Sequence, residues 1–292
     1  MQNHAKTLKE ALDLCVSKKK EGKKTSSIAI SEKGNSYIAG SVDSDTHLLN
    51  ISSEQASLAL ASASRDYKIN KVITLVEDSV SVLPQTVEIM IDHYKRTGVP
   101  ISYEVIDSEG KTLLSVKDVT ELSKYYDPKM NILSMTNDSE VSKNKIAVKV
   151  RDEEDKTRTL KKYAIEGVTR NFPTSDKASG YGTAVLTKNG TLYFAGQYST
   201  PDKRLGLHSE MCAMLSAMMD GNAEMTDIAL VSTKYADEPC NMCGICRQFI
   251  AEISAKFNLN PNIHCFSMDS EKMDKHSISE YLPNSWSSKN WK

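Results

Sequence analysis

The chain has little net charge and no long apolar run, and each feature excludes a broad class of protein. Its 292 residues carry 37 lysines and arginines against 38 aspartates and glutamates, a formal net charge of −1. No global field attracts nucleic acid or anionic lipid, which argues against a dedicated polynucleotide-binding protein, although a local basic groove could still exist. No run approaches the ~18 apolar residues of a membrane span, and the start, MQNHAKTLKEALDLC, lacks the apolar core of a signal peptide. We therefore expect a cytoplasmic protein.

Cysteine is scarce outside one segment. Six cysteines occur, and three of them, Cys240, Cys243 and Cys246, stand three residues apart in DEPCNMCGICRQFIAE at 237–252. Such crowding indicates metal binding or catalysis rather than a disulfide framework. The sequence contains no glycine-rich phosphate loop and no nicotinamide-binding fingerprint.

The two halves of the chain contain similar motifs in the same order. SSIAISEKGNSYIAG at 26–40 matches GTAVLTKNGTLYFAG at 182–196, an offset of 156. Two further matches are Glu54 with Glu210, and ISYEVIDSEG at 101–110 with IHCFSMDSEK at 263–272. We interpret the chain as two copies of one domain.

Each copy reads helix, strand, strand, helix, strand, helix, strand, helix, with hairpin turns at SEKGN and TKNGT. This order predicts an α/β fold of two tandem three-layer α/β/α domains, each a mixed sheet of about five strands flanked by helices. The predicted domains are residues 1–127 and 159–292. The polar segment 128–158 between them is interpreted as a linker with room for one strand.

A histidine and the cysteine segment of the second copy offer the ligands of a metal. GLHSEMCAMLSAMM predicts a helix from about Ser209, so His208 and Glu210 can reach a group beyond its first turn. The cysteines begin a second helix, whose start favours thiolates. Its predicted apolar stripe is Ile245, Phe249, Ile250, Ile253 and Phe257. One imidazole and two thiolates would leave a fourth zinc position open, which is the catalytic arrangement.

The spacing alone leaves the choice of cysteines open. H-x-E followed by P-C-x-x-C is the signature of zinc nucleobase deaminases, in which the glutamate is a general acid and base. Applied literally, that signature selects Cys240 and Cys243 after Pro239. The alternative pair is Cys243 and Cys246.

At these residues the second copy resembles the cytidine deaminase family, over about 160–292. HSE resembles the family's glutamate motif, DEPCNMCGICRQFIAE resembles its D-E-P and C-G-x-C-R-Q segment, and SEYLPNSW resembles its ending. The resemblance implies that His208, Cys243 and Cys246 bind one zinc per chain, because Arg247, Gln248 and Glu252 then fall in register. Cys240 is left as a free thiol, and Arg247 is expected to support the fold or an interface.

The resemblance also implies an activity. Glu210 would carry a proton from water to the cytosine ring and then to the departing ammonia. We expect hydrolytic deamination of a small cytosine-containing molecule, such as cytidine or deoxycytidine, to the uracil form. Two alternatives stay open: a deaminase of cytosine within RNA or single-stranded DNA, and a non-catalytic interaction protein stabilised by zinc.

The chain departs from the family where the sugar would bind. The positions of the family's ribose-binding asparagine and glutamate are Tyr198 and Thr200, and the phenylalanine of another pocket motif is replaced by Ser179. Tyr198 and Thr200 are the predicted substrate contacts. The Tyr198 ring could stack on a base or pack in the core.

The first copy lacks the ligands and is predicted to be inactive. Ser52, Val82 and Gln85 stand at the three ligand positions, and the retained Glu54 is expected to accept a hydrogen bond at a helix start. Some cytidine deaminases pair a working domain with an inactive copy. By that resemblance we expect a homodimer that forms a four-domain assembly, without a membrane partner.

Overall fold

The computed structural model describes residues 2–16, 24–44, 49–77, 84–123, 141–173, 179–200 and 205–287. The chain forms two compact units. The first comprises residues 1–43, 50–141 and 200–205, and the second comprises residues 44–49, 142–199 and 206–292. Each unit is one mixed sheet flanked by helices, which confirms the predicted fold class.

The first unit has a five-stranded sheet in the order β2-β1-β3-β4-β5. Only β3 and β4 are parallel, and helix α3 connects them. Its elements are α1 (Gln2–Leu12), β1 (Thr25–Ser31), β2 (Ser36–Gly40), α2 (Ser53–Ala63), β3 (Ile69–Val76), α3 (Pro84–Thr97), β4 (Ser102–Ile106), β5 (Thr112–Val116) and a 3₁₀ turn (Val119–Leu122).

The second unit has a six-stranded sheet in the order β11-β10-β9-β7-β8-β6. Only β9 and β10 are parallel, and helix α6 connects them. Its elements are β6 (Lys145–Ala147), α4 (Glu153–Val168), β7 (Tyr181–Thr187), β8 (Thr191–Gly196), α5 (Ser209–Met219), β9 (Met225–Ser232), α6 (Gly244–Lys256), β10 (Asn262–Phe266), β11 (Met273–Ser277) and α7 (Ile278–Tyr281).

Successive residues of β7 show that helices cover both faces of the second sheet. A side chain at Gly182 would meet the carbonyl oxygen of Ala164 in α4 at 2.1 Å. The next residue, Thr183, places its hydroxyl 2.8 Å from that of Ser209 at the start of α5. Because side chains alternate across a strand, α4 and α5 lie on opposite faces.

The two sheets share their pairing. Ser26 pairs with Gly40 in the first sheet, and Gly182 pairs with Gly196 in the second. Each residue of the second pair lies 156 positions after its counterpart in the first pair. Helices α2 and α5 begin and end with the same offset. This agreement is what a repeated domain predicts.

The structural correspondence between β4 and β10 differs by two residues from the match that the sequence indicates. Lys71 pairs with Ser102 in the first sheet, and Asp227 pairs with Asn262 in the second, so Ser102 corresponds to Asn262 rather than to His264. A shift of two leaves every side chain on its original face. The apolar pattern could not distinguish the two registers.

The prediction that each copy ends in a strand followed directly by a helix was wrong. An extra strand, β5 or β11, pairs antiparallel with the strand before it. Both extra strands lie at a sheet edge and bury no residue fully. TLLSV and MDKHS therefore lack the alternation of buried apolar and exposed polar residues that predicts a strand.

Part of the predicted linker belongs to the second unit. Strand β6 pairs with β8, and α4 begins at Glu153 after Asp152, whose side chain accepts a hydrogen bond from the Asp155 N–H at 2.8 Å. The buried Arg170 guanidinium donates to the carbonyl oxygens of Ser142 and Lys143 at 3.2 and 3.3 Å. Residues 128–140 lie outside the described residues, and the predicted domain bounds stay a prediction.

Among the described residues, none of the helices is long and apolar enough to cross a membrane.

The close approach of α4 to β7 predicts a large cost for a methyl group at Gly182. In Gly182→Ala the added carbon would lie 2.1 Å from Ala164 O and 2.3 Å from Val168 N, both backbone atoms of α4. We expect the free energy of unfolding to fall by at least about 2 kcal/mol because the helix must shift. Gly244→Ala is the control, since its methyl meets nothing within 4 Å. Equal denaturant midpoints for the two variants would contradict this packing.

Candidate metal centre

Two helices of the second unit begin at the same edge of the sheet. Strands β7 and β9 are antiparallel, and Thr183 near the start of β7 pairs with Leu230 near the end of β9. The Thr183 hydroxyl lies 2.8 Å from that of Ser209, so α5 begins at the carboxyl end of β9. Helix α6 follows β9 in the chain. The sheet therefore brings together His208 and Cys243, which are 35 positions apart in the chain.

His208 is the N-cap residue of α5, and its extended backbone has φ −70° and ψ 158°. The usual caps are Ser, Thr, Asp and Asn, whose side-chain oxygen accepts from a free backbone N–H of the first turn. The His208 side chain makes no such hydrogen bond. Its imidazole is instead directed toward the cysteines of α6.

Cys243 and Cys246 occupy the N-cap and third positions of α6. These are the two positions of a capping box, which normally holds Ser or Thr with Glu or Gln. Helix α7 has such a box, formed by Ser277 and Glu280. In α6 the Cys243 side chain makes no cap hydrogen bond, so both sulfurs are available to a metal.

The three donor atoms fit a zinc ion. His208 Nδ1 lies 3.3 Å from Cys243 Sγ and 3.2 Å from Cys246 Sγ. All three atoms lie within 4.8 Å of one another. Zinc–sulfur and zinc–nitrogen bonds of ordinary length at tetrahedral angles separate sulfur from nitrogen by about 3.6 Å. The spacing therefore needs only a small expansion, and the set leaves one tetrahedral position for a further ligand.

The two thiols and the imidazole titrate as one cluster. The hydrogen bond between the thiols lowers the pKa of Cys243 to about 4 and raises the pKa of Cys246 well above its ordinary value. The hydrogen bond to Cys243 raises the pKa of the His208 imidazole. Zinc binds thiolates rather than thiols, so binding must displace the proton of the Cys246 thiol, and the raised pKa of His208 also makes zinc compete with a proton there.

Glu210 lies beside the donor atoms at the second position of α5. Its side chain is buried, it accepts a hydrogen bond from the Ser209 hydroxyl at 3.2 Å, and it is in hydrogen-bonding range of the Cys246 thiol. Burial raises the pKa of this carboxyl. A carboxyl of raised pKa next to a metal site suits proton transfer at neutral pH.

Among the described residues, the group of side chains able to hold a metal does not include Cys240. It is buried, and its thiol donates to the carbonyl oxygen of Leu230 at 3.2 Å. Hydrogen bonding to Cys265 raises the pKa of Cys240. The geometry agrees with a free thiol that packs against β9 and β10.

The predicted substrate contacts lie in the interior. Tyr198 is 0% exposed and its ring stacks on Phe172, with centroids 5.3 Å apart and an interplanar angle of 16°. Thr200 is 4% exposed. For Tyr198, this burial favours the core-packing alternative over stacking on a base. Contact of either residue with substrate stays a prediction.

The apolar stripe of α6 is buried only in its middle. Phe249, Ile250 and Ile253 are at most 2% exposed, whereas Ile245 is 55% and Phe257 40% exposed. The two ends of the stripe are therefore exposed, and Phe257 is the C-cap residue just beyond α6. Gln248 and Glu252, aligned by the family motif, bond to each other at 2.7 Å. Gln248 also exchanges hydrogen bonds with the backbone of Trp286, which ties the tail to this helix.

The first unit has an ordinary polar arrangement at the corresponding positions. Ser52 caps α2 by accepting from the Gln55 N–H at 3.1 Å. The buried Glu54 accepts hydrogen bonds from Thr74 and Tyr103, each at 2.8 Å. Glu54 lies at the start of α2 and also accepts a hydrogen bond there from the Ser53 hydroxyl at 3.4 Å, while the backbone cap is made by Ser52.

Of the remaining ligand positions, Gln85 lies in the first turn of α3 and Val82 lies outside the described residues. Among the described residues, the donor set of the second unit is the one group able to hold a metal.

Sequence reasoning did not identify three residues that shape the centre. Thr183 and Ser209 join β7 to α5, and Tyr281 lies against the cysteine segment. Ser209 and Tyr281 fall within the quoted motifs HSE and SEYLPNSW. Their place in these motifs was the one sequence signal that could have identified Ser209 and Tyr281. Their contacts depend on the register of β7 and on the path of the chain after β11, which the sequence does not show.

Residues 155–258 match the family model of the cytidine and deoxycytidylate deaminase zinc-binding region. The match lies within the second unit, covers less than half of the chain, and includes Glu210 and all three donors. This match confirms the resemblance of the second copy to the zinc-binding region of that family.

Solved structures of cytidine deaminases align with a similar share of the chain. The enzyme from Burkholderia pseudomallei is 21% identical, with a TM-score of 0.40 over 44% of this chain and 98% of its own. The enzymes from Mycobacterium tuberculosis and Mycobacterium leprae are 15% and 16% identical, with TM-scores of 0.36 and 0.35 over 44% of this chain and 96% and 97% of theirs. No curated protein matches the chain by sequence.

The uncapped start of α5 predicts that function and stability oppose each other at His208. His208→Ser and His208→Ala should both lower zinc affinity at least about 1000-fold, because each removes one of three ligands. With zinc removed, the free energy of unfolding of the serine variant should exceed that of the alanine variant by about 1 kcal/mol. Serine can cap α5 as Ser52 caps α2, whereas alanine cannot. Denaturant unfolding in a chelator measures the difference. Identical curves would show that this helix start gains nothing from a cap.

The titration of the donor cluster predicts that zinc binds more tightly as pH rises. The pKa of the Cys246 thiol is raised well above its ordinary value, so this ligand releases a proton on binding at neutral pH, and the raised pKa of the His208 imidazole acts in the same direction. Cys243, with a pKa of about 4, is already a thiolate there. Apparent affinity should rise roughly tenfold or more per pH unit between about pH 6.5 and 9. Competition with a chelator of known pH dependence measures this slope, and a flat profile would contradict it.

Proposed function

We propose that the second unit is a zinc-dependent hydrolytic deaminase of a small cytosine-containing molecule, such as cytidine or deoxycytidine. The observation that supports this most strongly is the buried Glu210 carboxyl beside a group of one imidazole and two thiols, inside the region that matches the deaminase family. The products would be the uracil form and ammonia. A purely structural zinc site needs neither an open ligand position nor a buried carboxylate next to it.

The donor set supplies the metal chemistry. His208, Cys243 and Cys246 would hold zinc through Nδ1 and two sulfurs. Zinc bound there lowers the pKa of a coordinated water from about 15.7 toward 7. The start of each helix adds a partial positive charge that stabilises the thiolates.

Glu210 would move the protons. Its carboxylate takes a proton from the attacking water and delivers it to N3 of the cytosine ring, while oxygen attacks C4. It then carries the second water proton to the amino group, which leaves C4 as ammonia when the C–N bond breaks. Water and cytosine therefore give uracil and ammonia, and Glu210 returns to its starting state. Burial isolates this carboxyl from solvent, so that its proton passes to the substrate.

A small substrate agrees with the charge of the chain. The net charge of −1 provides no general attraction for a polynucleotide. Lys203 and Arg204, which could contribute to a local basic groove, lie outside the described residues. The cytoplasmic location and the four-domain homodimer stay predictions.

Replacing the proton carrier predicts loss of turnover with the metal retained. Glu210→Gln should keep zinc, because Glu210 is not one of the three donors, and should lower ammonia release at least about 100-fold. The matched control is Glu54→Gln, which alters the corresponding buried carboxylate of the first unit and should leave turnover unchanged. Zinc content by elemental analysis and ammonia release are measured on the same samples.

The substrate panel is cytidine, deoxycytidine, their nucleotides and single-stranded oligonucleotides. Release of ammonia from a nucleoside supports the proposal, whereas release only from oligonucleotides would identify a polymer deaminase instead. Full activity of Glu210→Gln would disprove the assigned mechanism. A zinc-loaded protein that is inactive on the whole panel would favour the non-catalytic alternative.

A further inference from the structure

We propose that Arg247 is a positioning residue for the metal centre: it clamps the segment Asn241–Cys243 against Tyr281 and thereby sets the position of the Cys243 sulfur. The inference rests on the metal centre and not on the reaction that we propose for it.

Cys243 is the ligand that most needs such support. Cys246 is buried within α6, and His208 begins a helix whose next residue, Ser209, is bonded to β7. Cys243 is exposed, and residues 239–243 before α6 belong to neither helix nor strand. The Cys243 carbonyl oxygen accepts a helical hydrogen bond of α6 from the Arg247 N–H at 3.1 Å, whereas Asn241 and Met242 lie outside the helix and are positioned by their other contacts. The Cys243 sulfur therefore depends on what holds Asn241 and Met242.

The Arg247 guanidinium supplies those contacts from the first turn of α6. Its Nε donates to the carbonyl oxygen of Met242 at 2.9 Å, and its Nη2 donates to Oδ1 of Asn241 at 2.6 Å. Two bonds from one planar group to adjacent residues restrict the rotation of the segment as well as its distance from the helix.

Tyr281 completes the clamp from α7. The guanidinium carbon lies 3.9 Å from the centroid of the Tyr281 ring, close enough for a cation–π interaction. The Tyr281 hydroxyl donates to the same Oδ1 of Asn241 at 2.5 Å and accepts a long hydrogen bond from the Met242 N–H at 3.5 Å. Asn241 and Met242 are thus each held from two sides, by a side chain of α6 and one of α7.

The contacts of the Arg247 side chain indicate that it positions Asn241 and Met242. They do not indicate that it compensates the negative charge of the thiolate ligands. In the part of the chain that the structure describes, the side-chain hydrogen bonds and ring contact of Arg247 go to Met242, Asn241 and Tyr281, not to a ligand sulfur. A positive charge alone would act at any orientation, whereas this arrangement uses the planar fork of arginine. Lysine keeps the charge but cannot make both bonds in this geometry.

The experiment measures zinc affinity by chelator competition for the full chain and for Arg247→Lys, Arg247→Gln and Tyr281→Leu. We expect all three variants to bind zinc about 10- to 100-fold more weakly, the usual effect of losing a partner that supports a ligand. Tyr281→Leu is informative because it removes no charge. Absorption of the cobalt-substituted protein gives a second readout, since a displaced sulfur changes the sulfur-to-cobalt and ligand-field bands.

Arg170→Lys is the matched control within the same unit. Arg170 also bonds to backbone carbonyl oxygens and lies over an aromatic ring, 4.6 Å from the centroid of Phe194, but at a site away from the donors. It should lower the melting temperature of the zinc-free chain without changing zinc affinity or the cobalt spectrum.

Three outcomes would overturn the inference. Wild-type affinity in Arg247→Lys with loss only in Arg247→Gln would assign Arg247 to charge compensation. Unchanged zinc affinity in Tyr281→Leu would show that the contacts of Tyr281 do not position the Cys243 sulfur. An equal loss in Arg170→Lys would reduce the effect to general stability. A chain that binds zinc normally but lacks deaminase activity would refute the proposed function and leave this inference intact.

Discussion

The metal centre depends on two helices that begin at one edge of a sheet. Because β7 runs antiparallel to β9, the start of β7 lies beside the end of β9, and the hydroxyl pair of Thr183 and Ser209 fixes α5 there. Helix α6 begins at the same edge because it follows β9. His208 and Cys243 are both N-cap residues with nearly the same backbone angles, φ −70° and ψ 158° against φ −71° and ψ 159°. The donor geometry therefore follows from strand pairing more than from local sequence.

The corresponding helix starts of the two units use their N-cap side chains differently. In the second unit, the side chains of His208 and Cys243 make no cap hydrogen bond and are directed toward the donor group. In the first unit, Ser52 makes the cap. The buried carboxylates differ in the same way: Glu54 is held by Thr74 and Tyr103, whereas Glu210 lies beside the donors. The two units thus use corresponding positions either to cap a helix or to assemble a group of metal donors.

Several features could be predicted from the sequence, each for a local physical reason. The hairpin turns follow from Gly34 and Gly190, both at φ +81°, a backbone conformation that favours glycine. The starts of α5 and α6 follow from apolar periodicity together with the H-x-E and C-x-x-C spacings. The spacings left two pairs of cysteines open, and the family resemblance selected Cys243 and Cys246. The edge strands β5 and β11 escaped prediction because short, exposed segments carry no alternating apolar pattern. The two-residue error in matching β4 to β10 arose because such a shift moves no side chain to another face.

The sequence by itself determined the residue types able to bind zinc and carry a proton, because their chemistry and local spacing are properties of the chain. It also determined that two similar segments would form similar units. Only the tertiary structure decided between the two pairs of cysteines in geometric terms, since Cys240 is turned into the interior between β9 and β10 while Cys243 and Cys246 face His208. It likewise decided that Tyr198 packs on Phe172 and that Arg247 reaches Tyr281. Such contacts join residues far apart in the chain, and their distances are set by how strands pair and helices pack, which no local pattern encodes.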